Sequence, residues 1–470
     1  MDSILLLIGF ISVCFLMYIL PSGWRKYLLL MASMVFFVVS SWRGFVYVTI
    51  ITLVSYGVGR WLDSKTGICR SRRGCQGVLV AVVVLMVALL AGIKYSALWR
   101  EEALMIPLGL SYYSLMVIGY LVEVYRGTEK AEKNLCDYGL FVSFFPQVVA
   151  GPIGRSKDLR QQYRGEIALD GDGIRKGFAM LMFGVFEKVV LADNLRVFVD
   201  NLFASEYRGV SVWVAVLLYS LVIYFDFAGY SLIAVGGARM LGIRLMDNFN
   251  APYRAETIQE FWRRWHISLS SWFRDYVYIP LGGSRKGAWR RDLNTLIVFV
   301  LSGAWHGATV GFILWGGLHG IYQMVGKWTK DWRQQLWNRV PGCEKAGMCW
   351  WRRGVVYVLV SIAWIPFQAG SVGEMWNIWC RLWAFSPQAL VDGSLLELGV
   401  NLPTLVVCGV GAVLVFVVDW VNQKKDFYLA LSKKPVVLRY GVYVLLFVVV
   451  LLVGAYGDGY DASEFIYGGF

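Results

Sequence analysis

Histidine is scarce in this 470-residue chain: only His266, His306 and His319 occur. Imidazole is the side chain whose ordinary titration lies near neutral pH, so a general base acting there comes from a short set. His306 and His319 both fall in LSGAWHGATVGFILWGGLHG, Leu301 to Gly320, and no Asp, Glu, Lys or Arg occurs between Asp292 and Lys327. An ionisable group in such apolar sequence is costly and by default marks a reaction site or a pathway. No GxSxG serine motif competes with it. His306 therefore heads the candidates. Counted from Leu293 at helical rise, it lies ~20 Å into a ~30 Å slab of hydrocarbon. The same segment also admits a structural reading. Gly303, Gly307 and Gly311 form GxxxGxxxG, a small-residue face for close helix packing, on which His306 merely bridges two helices.

His319 lies a further ~20 Å along a continuous helix, too far to share a metal ion with His306 unless the helix breaks. The uncharged run from 293 to 326 exceeds one crossing, and Gly316 with Gly317 is the predicted break. The third histidine, His266, sits in FWRRWHISLSSWFRDY, Phe261 to Tyr276. At helical spacing Phe261, Trp262, Trp265, Leu269, Trp272, Phe273 and Tyr276 fall within one arc of ~120°, which predicts an amphipathic helix with Arg263, Arg264 and Arg274 opposite. His266 falls at the edge of the aromatic face. It can point inward, or it can be an interfacial histidine satisfied by headgroups or backbone. Glu187 and Lys188 in MLMFGVFEKVVLADNL, and Asp226 in VIYFDFAGYS, are charges in apolar surroundings. They fit an ion pathway, and hence a transporter, or a pairing that holds helices together.

These groups must be carried by membrane-spanning elements. Hydrophobic residues make up 57% of the chain and charged ones 16%, with 21 Trp and a mean hydropathy of +0.55. That excludes an ordinary soluble globule and predicts a polytopic membrane protein. Backbone polar groups in lipid must be satisfied internally, and no ten-residue alternating segments suggest a barrel, so the class is all-α with roughly ten to twelve helical passes, some re-entrant. The first apolar run lacks a basic leader and a small-residue cleavage pattern, and is predicted to be a retained helix. One integral-membrane unit spans residues 1–470, with the longest polar interruption at about 236–292.

The formal charge of +13 is gathered in loops, which points to a membrane surface rather than nucleic acid. Residues 236–292 hold ten Lys or Arg against five Asp or Glu, so that region is predicted to be cytoplasmic. The loops at Arg25–Lys26, at Arg60, Lys65, Arg70, Arg72 and Arg73, and at Arg126, Lys130 and Lys133 follow the same rule, which places the N-terminus outside the cytoplasm. The eight cysteines form no CxxC pair and have no neighbouring histidine, so no metal site is expected. A cytoplasmic thiol pair at Cys69 and Cys75 is predicted to stay reduced.

Three stretches, SFFPQVVAGPIGR (Ser143–Arg155), FWRRWHISLSSWFRDYVYIPLGGSRKG (Phe261–Gly287) and LSGAWHGATVGFILWGGLHG, together resemble the membrane-bound O-acyltransferase family, in its alginate O-acetyltransferase branch. IPLGLSYYS at Ile106 and VYRG at Val124 are weaker echoes, and the motifs together span about 106–325. The resemblance implies a helical bundle with re-entrant segments around a funnel. It implies that His306, in its WHG sequence, is catalytic and that His266 lines the same tunnel. It implies an acyl thioester donor taken from the cytoplasm, acetyl-CoA, with no resident cofactor, and an exported polysaccharide as acceptor. Peptidoglycan and teichoic-acid-like polymers are the alternatives. It further implies a separate, esterase-like extracytoplasmic acetyltransferase as partner, glycan-synthesis machinery nearby, and residence in a bacterial cytoplasmic membrane. Arg285, Lys286, Arg290 and Arg291 are candidates for the CoA phosphates, although the positive-inside rule accounts for them equally. The branch commonly carries two lysines where this chain has Glu187 and Lys188, and the tail reads FIYGGF where relatives end in an aromatic-rich sequence.

Overall fold

The computed structural model describes residues 3–63, 72–98, 100, 104–338, 346–384 and 399–456. Lys65, Arg70 and the FIYGGF tail lie outside the described residues. Among the described residues helix dominates, and seven helices are long and apolar enough to cross a bilayer: Ser22–Ser40, Trp42–Leu62, Arg73–Lys94, Val210–Met240, Gly347–Gln368, Leu402–Asn422 and Val436–Val453. Shorter or more polar helices at Ser3–Ile19, Leu110–Arg126, Ala288–His306 and Val310–Trp328 complete the set of apolar runs. The chain is an all-α, multi-pass membrane protein.

Its interior is two apolar cores. One joins Leu28, Phe37 and Val48 to Tyr113, Tyr138 and Phe141, and takes in Leu269, Trp272, Phe273 and Trp305. The other joins Met180, Phe183, Val222 and Phe225 to Phe261, Trp262, Trp265, Phe312, Trp315 and Trp364. The chain passes from one core to the other at two places that matter for chemistry. Between Trp265 and Leu269 it passes His266, and between Trp305 and Phe312 it passes His306. Both histidines therefore sit at the seam.

Two sequence expectations change here. The amphipathic stretch is not one helix: Ile258–Arg264 and Ile267–Phe273 are separate, broken at Trp265 and His266. Its aromatic face is divided between the two cores, which a continuous helix cannot serve. The predicted break at Gly316–Gly317 is also displaced. Ala288–His306 ends on the histidine itself, Gly307 is extended, and Val310–Trp328 returns against it. The reason is steric. A Cβ on Gly303 would lie 2.2 Å from the Phe312 carbonyl oxygen, and one on Gly316 would lie 2.2 Å from that of Phe299. The two glycines let the helices of this hairpin touch backbone to backbone. Gly303, Gly307 and Gly311 consequently do not share one helix face.

Two of the buried charges, Lys188 and Asp226, resolve into pairing, whereas Glu187 lines a cavity. Lys188 Nζ lies 2.6 Å from Asp193 and 2.7 Å from Asp226, all three nearly sealed from solvent. Cys75 is disulfide-bonded. The expectation of a reduced thiol rested only on the sidedness assigned to its loop.

Candidate active site

His266 occupies the left-handed region, φ 43° and ψ 54°, and Ala251 nearby is the one other described non-glycine residue with positive φ. A branched or bulky residue resists this conformation, whereas histidine tolerates it better, and such local strain clusters at functional sites. The surrounding structure supports it. The Ile267 N–H donates to the Asn248 carbonyl at 2.9 Å, and the Asn250 N–H donates to the Arg264 carbonyl at 3.0 Å, so residues 248–250 splint the break from both sides. The Asn248 side chain continues the splint. Its Oδ1 accepts from Ser268 Oγ at 2.6 Å and its Nδ2 donates to Ser231 Oγ at 3.1 Å.

The ring of His266, 1% exposed, stands edge-on to Phe227 at 4.7 Å between centroids, with Ser268 Oγ 3.5 Å from its Nδ1. Its Nε2 is buried and has no hydrogen-bond partner among the described residues. His306, 2% exposed, is walled by Trp305 at 4.8 Å, Trp315 at 5.1 Å and Phe367 at 6.0 Å. The His266 and His306 centroids are 6.5 Å apart. The two residues that the family resemblance singles out are thus brought together, in aromatic surroundings that keep water out.

His319 also joins this cluster, because the hairpin folds back where a straight helix would have carried it away. Its Nδ1 accepts a 3.1 Å hydrogen bond from Trp262 Nε1. Indole is a donor only, so this nitrogen carries no proton. Fully buried and packed against Trp262 at 4.9 Å and Trp315 at 5.4 Å, His319 braces the wall behind the other two.

A cavity of about 410 Å³ lies nearby, and neither His266 nor His306 is among its lining residues. Ile267, the neighbour of His266, and Ser302, one turn before His306, line it, together with the apolar side chains of Leu269, Phe273, Val298 and Phe299. Arg263, Arg274 and Lys327 add positive charge, the two arginines exposed. This apolar passage with a cationic rim suits a long ligand ending in phosphates. Arg285, Lys286, Arg290 and Arg291 are not among its lining residues. Arg285 and Lys286 stand exposed beyond the helix start, and Arg291 is engaged by Asp292 at 2.8 Å. A second cavity, about 340 Å³, also reaches Ile267; Glu187, Asp247, Asp419 and Asp426 stand on its walls together with Lys176, which pairs with Asp426.

Sequence reasoning missed Asn248 and Ser268, which carry no pattern of their own, and the cavity rim, which only folding assembles. It also missed Lys94, a charge within the apolar run Val78–Leu98 and hence detectable by the signal that singled out Glu187 and Asp226.

A model of the MBOAT, membrane-bound O-acyltransferase, family matches residues 92–365. The chain is 34% identical over 402 residues to a protein of Pseudomonas fluorescens named "Probable alginate O-acetylase AlgI", covering 83% of this chain and 77% of that one. It is 33% identical over 311 residues to a peptidoglycan O-acetyltransferase of Helicobacter pylori, covering 59% and 58%. It is 30% identical over 249 residues to a teichoic acid D-alanyltransferase of Bacillus subtilis, covering 49% and 62%. The matched region encloses both seam histidines, the nearby cavity and the aromatic wall as far as Trp364, and the chain belongs to the membrane-bound O-acyltransferase family as an O-acyltransferase of the membrane.

Proposed function

We propose that this protein moves an acetyl group from cytoplasmic acetyl-CoA to hydroxyl groups of an exported, alginate-like polysaccharide. The observation that supports this reading best is the placement of His266 and His306, 6.5 Å apart, with their neighbours Ile267 and Ser302 on the wall of an apolar cavity with a cationic rim. The rim residues Arg263, Arg274 and Lys327 meet the CoA phosphates, and the apolar cavity takes the pantetheine arm.

His306 acts as general base. Its neutral imidazole takes the proton of the acceptor hydroxyl as that oxygen attacks the thioester carbonyl carbon. The tetrahedral intermediate collapses, the carbon–sulfur bond breaks, and the imidazolium returns the proton to the leaving thiolate. His266 faces the same space with a buried ring nitrogen and orients the reacting groups or donates to the developing oxyanion. The dry aromatic walls strengthen each of these interactions relative to water.

The protein resides in the bacterial cytoplasmic membrane, with the basic rim toward the acetyl-CoA pool. A separate secreted, esterase-like transferase completes delivery to the polymer. Peptidoglycan or a teichoic-acid-like polymer is the second acceptor reading, favoured by the relatives of those names.

The test is acetyl transfer from labelled acetyl-CoA in membranes carrying the parent protein or His306→Ala. Transfer is expected to fall to background in the variant while its amount in the membrane and its melting stay unchanged. Undiminished acetylation would remove the role of His306. Robust solute flux in proteoliposomes without any acyl donor would instead favour a transporter.

A further inference from the structure

We infer that the dipeptide Lys94–Tyr95 is a positioning device for His306. This rests on the general-base reading above.

The helix Ala288–His306 ends inside the bundle, where its last carbonyls have no intrahelical partner and lipid offers none. One neighbouring segment supplies the missing donors. Lys94 Nζ, at the end of helix Arg72–Lys94, donates to the Trp305 carbonyl. The Tyr95 hydroxyl lies 2.9 Å from the Ala304 carbonyl and 3.2 Å from that of Gly307, shared between them. Backbone groups immediately before and after His306 are therefore tied to two consecutive residues, the last of another helix and the first beyond it.

The Trp305 side chain is clamped as well. Lys94 Nζ sits 5.0 Å from its ring centroid, and Tyr112 packs edge-on at 5.8 Å.

The choice of lysine is physically informative. Lys94 is 8% exposed and has no carboxylate within ion-pair distance among the described residues. A buried, uncompensated ammonium is costly. Its compensation here is the partial negative charge of a helix C-terminus together with an indole face. The geometry places this amine one residue from the general base, at the point where the helix stops and the reactive ring begins.

The experiment compares Tyr95→Phe, Lys94→Met and the double variant with the parent and with His306→Ala, all as full-length protein in native membranes. For each, kcat, KM for acetyl-CoA and melting temperature are measured. A slight misplacement of a catalytic group costs ~10²-fold, so kcat is expected to fall ~10–100-fold in each single variant. KM should stay near that of the parent, because neither residue lines the donor cavity. The double variant should lose less than the product of the single losses, since both residues hold one helix end. Parent-like kcat in Tyr95→Phe and Lys94→Met, alongside an inactive His306→Ala, would overturn the inference and leave the general base standing. A kcat per folded molecule that is intact while melting falls would also overturn it, by reducing the dipeptide to a structural cap. An active His306→Ala would overturn the reading on which the inference rests.

Discussion

The imidazoles of His266 and His306 face each other across the seam between two apolar cores, 6.5 Å apart, each at a point where a helix is interrupted. A helix interior presents a side chain within a regular array. An interruption turns it out of that array and frees space for a substrate.

His266 is expected to be the less demanding of the two. His266→Ala removes an orienting or donor group and leaves the base, so turnover should fall ~10²-fold, against loss to background for His306→Ala. His266→Gly relieves the positive φ but restores no activity. Equal activity of the alanine and parent proteins in acetyl transfer would show that the strained position is purely architectural.

The cavity rim gives a binding prediction. Replacing Arg263 and Arg274 together by Gln should raise KM for acetyl-CoA ~10-fold or more while kcat is kept, the signature of lost uniform binding at charged contacts. Replacing Arg285 and Lys286 by Gln should leave KM unchanged. A reversed pattern in steady-state kinetics would move the phosphate site to the loop that sequence alone indicated.

The hairpin behind His306 depends on backbone contact. Gly303→Val and Gly316→Val each place side-chain atoms against a carbonyl oxygen and are expected to destabilise by ~1–3 kcal/mol or more, seen as a lower melting temperature. Gly317→Ala, with nothing within 4 Å of the added methyl, should melt like the parent.

Lys188 tests the structural role of the buried charges. Lys188→Met leaves Asp193 and Asp226 without their shared ammonium and should cost ~3–5 kcal/mol. Removing both carboxylates as well, by Asp193→Asn and Asp226→Asn, should recover much of the loss. Melting in detergent reads both, and a stable single variant would return these residues to consideration as a pathway.

One loop gives a pH dependence outside the membrane. Burial works against the Glu132 carboxylate, but the Asn134 and Lys133 N–H groups, Arg164 at 2.8 Å and the charge of Arg160 hold it below the usual carboxylate range. Its folded value is depressed, so its contribution to stability is complete above the ordinary carboxylate range and disappears as pH falls through the folded value. Glu132→Gln should flatten the acid side of the stability profile in thermal melts.

The composition and the long uncharged runs determined the all-α membrane class, because helices alone satisfy backbone groups in hydrocarbon without closing a barrel. The rarity of histidine and the WHG context singled out His306, and RRWH singled out His266, since those residue types and neighbours are local. Tertiary structure decided where the helices stop. Periodicity describes one continuous face, but Trp262 and Trp272 enter different cores, and Gly303 meets Phe312 through a hairpin whose turn falls at Gly307. Contacts of that kind depend on which surfaces meet in three dimensions, as do the rim at Arg263 and Arg274 and the tie from Lys94 to Trp305. Spacing along the chain carries no record of them.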